Sequence, residues 1–398
     1  MKIAIFTNNF LPRVSGVAVA VKFQAQSLKE LGHRILIIAP EYGIKNQPEE
    51  FEVVRVKSIY FPSQRFAIPL NFLDQPAIEN ALEEFEPDLI HTHHPFLLGK
   101  SALEMADQFQ VPLVYTFHTL YEFFTHYFLV DTEQVRKQVR DYVVNFANCC
   151  DLVITPTEPI RQYLIKNGVN TQTASVPTGI DFSRFDQVSP EKLERRKKQL
   201  GLERFERVLL YVGRIAREKN LNLVFHALKI LTEQGRNLVL VIAGEGPAKK
   251  YYQRELEKLN LTERVIWTGF LSQEELPEVY FLADLFVFPS PSDTQGIVLY
   301  EARAAGLPIV ALKSMASLAI VKDGVNGRFA ENQPEDFAEK IAEVLDELEK
   351  FREEFDRNRF STSFIASRYQ ELYQKLVSQG RQRKSRYLGT IFFPFFNP

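Results

Sequence analysis

Short apolar runs alternate along the chain with longer stretches in which apolar residues recur at helical spacing. Residues 2–7 form the first run. Residues 17–31 then carry Val17, Val21, Leu28 and Leu31 on one helical face, and Gly32 stands where such a helix should end. A second run, 34–39, is stopped by Pro40, and others lie at 52–56, 88–91, 112–117, 151–155 and 173–176. Strands apolar throughout and separated by helices predict a parallel sheet covered on both faces. The scheme restarts with a strand at 207–212 and a helix at 221–234. Strands at 237–243, 264–268, 284–289 and 308–312 follow. The pattern predicts an α/β chain of two Rossmann-like domains, with a break near 181–190 and a charged, solvated helix over 191–206. The expected divisions are 1–183, 184–375 and a final segment 376–398 returning to the first domain or to a membrane. In such sheets ligands bind beyond the carboxyl ends of the strands. Two such domains facing a central cleft would bring two substrates together.

Composition narrows the class only slightly. Of 398 residues, 45% are hydrophobic and 25% charged, which fits a globular protein with a large core. With 48 basic residues against 50 acidic, no overall charge points to nucleic acid. Cys149 and Cys150 are adjacent, a poor structural staple, and no metal-ligand spacing is present. A reduced, cytoplasmic compartment is the simplest expectation, and residues 1–6 read as a strand, not a signal peptide. No apolar run reaches the roughly 18 to 20 residues of a membrane span, which leaves peripheral attachment open.

Four segments could carry chemistry. The first runs from Tyr211 through Gly213 and Arg214 to Lys219 and Asn220. Gly213 permits a tight turn after the strand, Arg214 and Lys219 add two cations, and the next helix adds its positive end. That set suits a diphosphate; a charged surface loop with pairs such as Arg217–Glu218 fits equally. The second segment, 289–301, sets Asp293 in a polar loop and Glu301 in the next helix, with Gly296 between them. Carboxylates accept from sugar hydroxyls, and burying Glu301 among Ala302, Ala304, Ala305 and Gly306 is costly without a partner. A helix-capping Asp293 and an incidental Glu301 are the alternative, and the ligand reading is favoured over it. The third is His118, a lone histidine that is more often structural but whose place at a carboxyl strand end favours function; His91, His93 and His94 at another strand end read as cleft lining, since no Asp, Glu or Cys nearby completes a metal site. The fourth is Gly16 in the turn 12–17, where a phosphate or acceptor could approach.

Together these segments resemble the retaining family-4 glycosyltransferases of the GT-B fold, from about Lys2 to about Leu376. The resemblance implies that Arg214 and Lys219 bind the diphosphate of a nucleotide-sugar donor, beside Gly213 and Gly16. It assigns Glu301 to the ribose, Asp293 to the donor sugar, Phe270 to the base, and the backbone of Gln295, Gly296, Ile297 and Val298 to the sugar and phosphates. His118 takes the place of the active-site histidine, so the catalytic set is His118, Asp293, Arg214 and Lys219, with no metal and no further cofactor.

Within the family, Pro12–Val17, Thr116–Glu122 with His126 and Tyr127, Thr294–Gly296 and Val176–Asp181 are similar to the diacylglycerol glucosyltransferases. That likeness implies UDP-glucose as donor, diacylglycerol as acceptor and a peripheral place on the cytoplasmic face of a membrane. Three features depart from the pattern: Asp293 stands where Glu is usual, Ser15-Gly16 where many relatives carry Gly-Gly, and 314–321 lacks the usual glycines and Pro-Glu pair.

A lipid acceptor calls for a membrane-facing surface. Arg381, Arg383, Lys384 and Arg386 precede Tyr387, Phe392, Phe393, Phe395 and Phe396, a sequence suited to an anionic interface or to packing on the first domain. The apolar stretch 60–70 is a second membrane candidate. A transferase for a soluble acceptor and a catalytically silent nucleotide-sugar binder are the rival readings.

Overall fold

The structure is a computed structural model, and it describes residues 1–13, 15–43, 50–61, 66–127 and 131–382. Two compact units divide it. The first is Met1–Ile180 with the stretch from Arg359 onward; the second is Asp181–Asn358. Each is an α/β unit built on a parallel sheet.

In the first unit the strands are β1 (Lys2–Phe6), β2 (Arg34–Pro40), β3 (Glu52–Val56), a side hairpin of β4 (Ser58–Phe61) and β5 (Phe66–Pro69), then β6 (Leu89–Thr92), β7 (Leu113–Thr116), β8 (Leu152–Thr155) and β9 (Gln172–Ser175). The main sheet runs β3-β2-β1-β6-β7-β8-β9, all parallel. In the second unit β10 (Arg207–Val212), β11 (Leu238–Ala243), β12 (Val265–Gly269), β13 (Leu285–Phe288), β14 (Ile309–Leu312) and β15 (Gly327–Ala330) run in the order β12-β11-β10-β13-β14-β15. Strand order reverses between β1 and β6 and again between β10 and β13, and ligands favour such points.

The apolar runs form strands because helices bury both of their faces. Every residue of β11 is buried, as is all of β10 after Arg207. Local chemistry sets the helix limits. Ser15 accepts from the Ala18 N–H at the start of the helix Gly16–Glu30, and Gly32 takes φ +84° just beyond its end. The predicted helix over 191–206 is shorter, Pro190–Gln199. It is not wholly solvated, because Arg196 is buried between Glu275 and Glu278 at 2.9 and 2.6 Å.

The expected boundary at 375 does not hold. It falls inside the helix Thr362–Gln379, which belongs to the first unit. Ile365, Tyr369, Tyr373 and Leu376 of that helix join Ile3, Val21, Ile37 and Val114 in one core cluster. Arg381 is no membrane cation: its guanidinium lies 2.7 Å from Asp107 and 2.8 Å from Asp151, with a side-chain exposure of 3%. Gln382 N–H adds a bond to Asp151 at 2.9 Å. The remaining tail residues, 383–398, lie outside the described residues, as do Val14 and residues 62–65 of the apolar loop. Among the described residues no helix is long and apolar enough to cross a membrane.

Candidate functional site

The second unit gathers most of the predicted site at the carboxyl ends of its strands. Three glycine loops lie side by side there. Gly213 N–H donates to Ala243 O at 3.0 Å, and Gly244 N–H to Gly269 O at 2.9 Å. A Cβ on Gly244 would sit 2.0 Å from Gly213 O, and one on Gly246 2.2 Å from Ile215 O. Gly244 and Gly246 were missed in the sequence, although a G-x-G directly after a strand is a legible sign of close backbone approach. Phe270, expected beside a base, follows β12 at the same edge and is 68% exposed.

Across the β10/β13 switch point the two loops meet. Lys219 Nζ lies 2.6 Å from Asp293 Oδ1, with the two side chains 19% and 24% exposed. Burial opposes ionisation of Asp293, but the Lys219 ammonium more than offsets it and holds the carboxyl below the ordinary range. Arg214 is half exposed and pairs with Glu218 at 3.8 Å. Arg217 lies over the Tyr251 ring at 4.4 Å.

Gly296 opens the helix Ile297–Ala304 as its N-cap, at φ +63°. A side chain there would be strained, and its Cβ would crowd Leu299, Phe288 and Ala316 at 3.0–3.4 Å. The helix start therefore lies just past Asp293 and Gln295, with the N–H groups of its first turn, Ile297 and Val298 among them, at the strand ends. The loop after β14 lacks the glycines that the resemblance led one to expect there and is held by serines: Ser314 N–H donates to Ser317 Oγ at 2.9 Å, and Ser317 Oγ to Leu312 O at 2.6 Å.

Glu301 is buried, but its partners are within the protein. Arg184 Nη2 pairs with its Oε1, and the Tyr280 hydroxyl donates to its Oε2 at 2.8 Å. The burial of this carboxylate therefore does not by itself demand a ligand. Arg184 comes from the short helix Ser183–Asp186 and went unnoticed in the sequence, where nothing local sets it apart.

In the first unit the ends of β6 and β7 carry histidines, with the Arg13 charge near enough to add to the lowering of His94. His118 follows β7, and its Nε2 lies 2.8 Å from His93 Nδ1. The rings of His91, His93 and His118 form a column, with centroids 4.4 and 5.1 Å apart. His91 Nδ1 lies 2.5 Å from the Tyr373 hydroxyl, and its Nε2 2.7 Å from Thr116 Oγ1. His94 Nδ1 accepts from the Asn8 N–H at 3.1 Å. Burial lowers His118 to about 4. Burial and the nearby His118 lower His91 to about 3. His93 and His94 are also driven well below the ordinary histidine range by burial. The column is thus neutral at pH 7. Gly16 lies exposed at the start of its helix, where a Cβ would meet nothing within 4 Å.

Comparison with known proteins fits this geometry. Residues 14–184 match the family described as Glycosyltransferase Family 4, and residues 193–361 match Glycosyl transferases group 1. The chain is 31% identical over 317 residues to the alpha-monoglucosyldiacylglycerol synthase of Streptococcus pneumoniae (strain ATCC BAA-255 / R6), covering 78% of this chain and 71% of that one. It is 27% identical to the protein of the same name from Acholeplasma laidlawii, over 97% of this chain and 100% of the relative. Among solved structures, sucrose-phosphate synthase from Thermosynechococcus elongatus superposes with a TM-score of 0.77 at 22% identity, over 95% of this chain and 99% of that one. Anabaena Alr3699/HepE in complex with UDP and glucose gives 0.74 at 21% identity, over 94% and 100%. With two Rossmann-like halves of the GT-B fold, the chain belongs to the group 1, family 4 glycosyltransferases.

Proposed function

We propose that this glycosyltransferase moves glucose from UDP-glucose to a membrane glycerolipid such as 1,2-diacylglycerol, with retention of anomeric configuration and without a metal. The observation that carries the donor site is the Lys219–Asp293 pair at the β10/β13 switch point, beside the start of the helix Ile297–Ala304. An arriving diphosphate competes for Lys219, and Asp293 is left to accept from a sugar hydroxyl. As the anomeric C–O bond breaks, negative charge builds on the diphosphate. Arg214, Lys219 and the helix start stabilise it as fixed charge and dipoles. The acceptor hydroxyl attacks from the face the diphosphate leaves, and a leaving phosphate oxygen takes its proton. His118, neutral at pH 7, meets the transferred sugar as a hydrogen-bonding group and carries no charge to it.

The lipid acceptor is supported by the names of the two synthases and by the likeness of 12–17, 116–122 and 294–296 to diacylglycerol glucosyltransferases. A lipid acceptor goes with a peripheral position on the cytoplasmic face of a membrane, which is part of the same proposal.

The test is a donor-by-acceptor screen read by mass spectrometry, with the product anomer assigned by NMR. An α-glucosyl lipid formed from UDP-glucose, undiminished by a chelator, is expected. Transfer only to soluble acceptors, an inverted product or a trapped covalent glycosyl-enzyme would each overturn the corresponding part.

A further inference from the structure

Glu301 is held from two directions by residues remote in sequence. Arg184 Nη2 takes Oε1, and the Tyr280 hydroxyl takes Oε2. Arg184 itself is fixed: its Nη1 reaches Gln273 O at 3.4 Å, and its guanidinium lies 5.5 Å from the Phe185 ring centre. Phe185 packs in turn against Tyr280, with ring centroids 6.0 Å apart. Arg184, Phe185, Tyr280 and Glu301 therefore form one packed group. Arg184 is 9% exposed, yet its Nε has no partner among the described residues. The guanidinium is set to serve Glu301, at the expense of one of its own donors.

Each carboxylate oxygen has about two acceptor positions. Arg184 and Tyr280 occupy one on each oxygen, and one on each remains. A vicinal diol presents two O–H donors at a spacing that a carboxylate can meet with both oxygens.

We propose that Arg184 and Tyr280 are positioning residues that hold Glu301 so that its two remaining acceptor positions receive the 2′ and 3′ hydroxyls of the donor ribose. This rests on the donor site described under Proposed function. Arg184 meets Glu301 through Nη2 while Nη1 is tied to Gln273 O, an anchoring from two nitrogens that a lysine ammonium cannot reproduce, so Arg184→Lys removes the orientation and keeps the charge. Tyr280→Phe removes the second bond, together with a longer contact from the same hydroxyl to Val298 O at 3.4 Å, and preserves the ring packing.

The experiment measures binding of UDP, 2′-deoxy-UDP and 3′-deoxy-UDP by calorimetry to the full chain and to both variants. The unsubstituted protein should favour UDP over each deoxy analogue by about tenfold, the size of a hydrogen bond to a charged group. In Arg184→Lys both hydroxyl bonds are lost, so UDP should weaken by about a hundredfold and each deoxy analogue, with one such bond to lose, by about tenfold, and the preference collapses. Tyr280→Phe should show a smaller collapse. Equal weakening of UDP and its analogues in both variants would mean a purely structural group and overturn the proposal. If the unsubstituted protein binds all three alike, the assignment of Glu301 to the ribose fails instead. If UDP does not bind, GDP and its deoxy analogues are measured in the same way, and failure of both series overturns the donor site together with this inference.

Discussion

The two units share a strand scheme but differ at their ligand-facing edges. Beyond β6 and β7 the first unit presents buried, neutral imidazoles linked to one another and to hydroxyls. Beyond β10 and β13 the second unit presents ion pairs, Lys219 with Asp293 and Arg184 with Glu301. One topology thus supports two electrostatic environments. The charged edge suits an anionic diphosphate; the neutral edge suits hydroxyl-bearing partners, which need hydrogen bonds and no counter-charge. The first unit also has a buried arginine, but Arg381 sits at the opposite edge, next to Asp151 at the start of β8, and ties down the last helix.

Breaking that tie should give the largest effect. Arg381→Ala leaves Asp151 buried without its cation, and Asp107 without its partner, at a cost of about 3–5 kcal/mol. Denaturant unfolding should show this loss while nucleotide binding by the folded protein stays unchanged; weaker nucleotide binding would contradict the division of labour. Lys219→Ala should lower the transfer rate on the order of a hundredfold with little change in melting temperature. A drop under threefold would remove Lys219 from the charge-stabilising role.

The neutral edge should respond to acid. Above pH 6.5 the histidines are neutral whether the chain is folded or not. Below it the unfolded chain takes up protons that the folded one refuses, down to about pH 4 for His118 and about 3 for His91. Stability is therefore full above pH 6.5 and falls as pH drops, by about 1.4 kcal/mol per pH unit for each such group. Melting scans between pH 7.5 and 5 measure that slope, and His118→Gln should make it shallower; an unchanged slope would contradict the burial of His118. The smallest effect belongs to Phe270→Ala, which should weaken nucleotide binding by about 0.5–1.5 kcal/mol if a base stacks there. Calorimetry with UDP decides it.

The central strands were legible because burial on both faces writes a continuous apolar run. β15 was not: it is a four-residue edge strand, Gly327–Ala330, whose Arg328 and Phe329 are only partly buried. The hairpin of β4 and β5 went unread for a similar reason. Gly213, Lys219, Asp293 and Gly296 stand in loops directly after strands, where local spacing carries meaning. Arg184 does not, because its worth depends on a carboxylate 117 positions away. The allegiance of the last helix was hidden too. Its amphipathic pattern announces a buried face, but only the meeting of Tyr373 with His91 says whose core it completes.

That last helix bears on how the chain is made. Unit two is continuous, Asp181–Asn358, whereas unit one needs Thr362–Gln379 to cover Ile3, Ile37 and Val114. Domains emerging from the ribosome usually fold in order, the first one first. Here the first sheet must wait, its apolar face unfinished, until the second unit has been synthesised. The nascent chain thus carries an exposed core for longer than its size alone implies, and the last helix works as the latch that ends that interval.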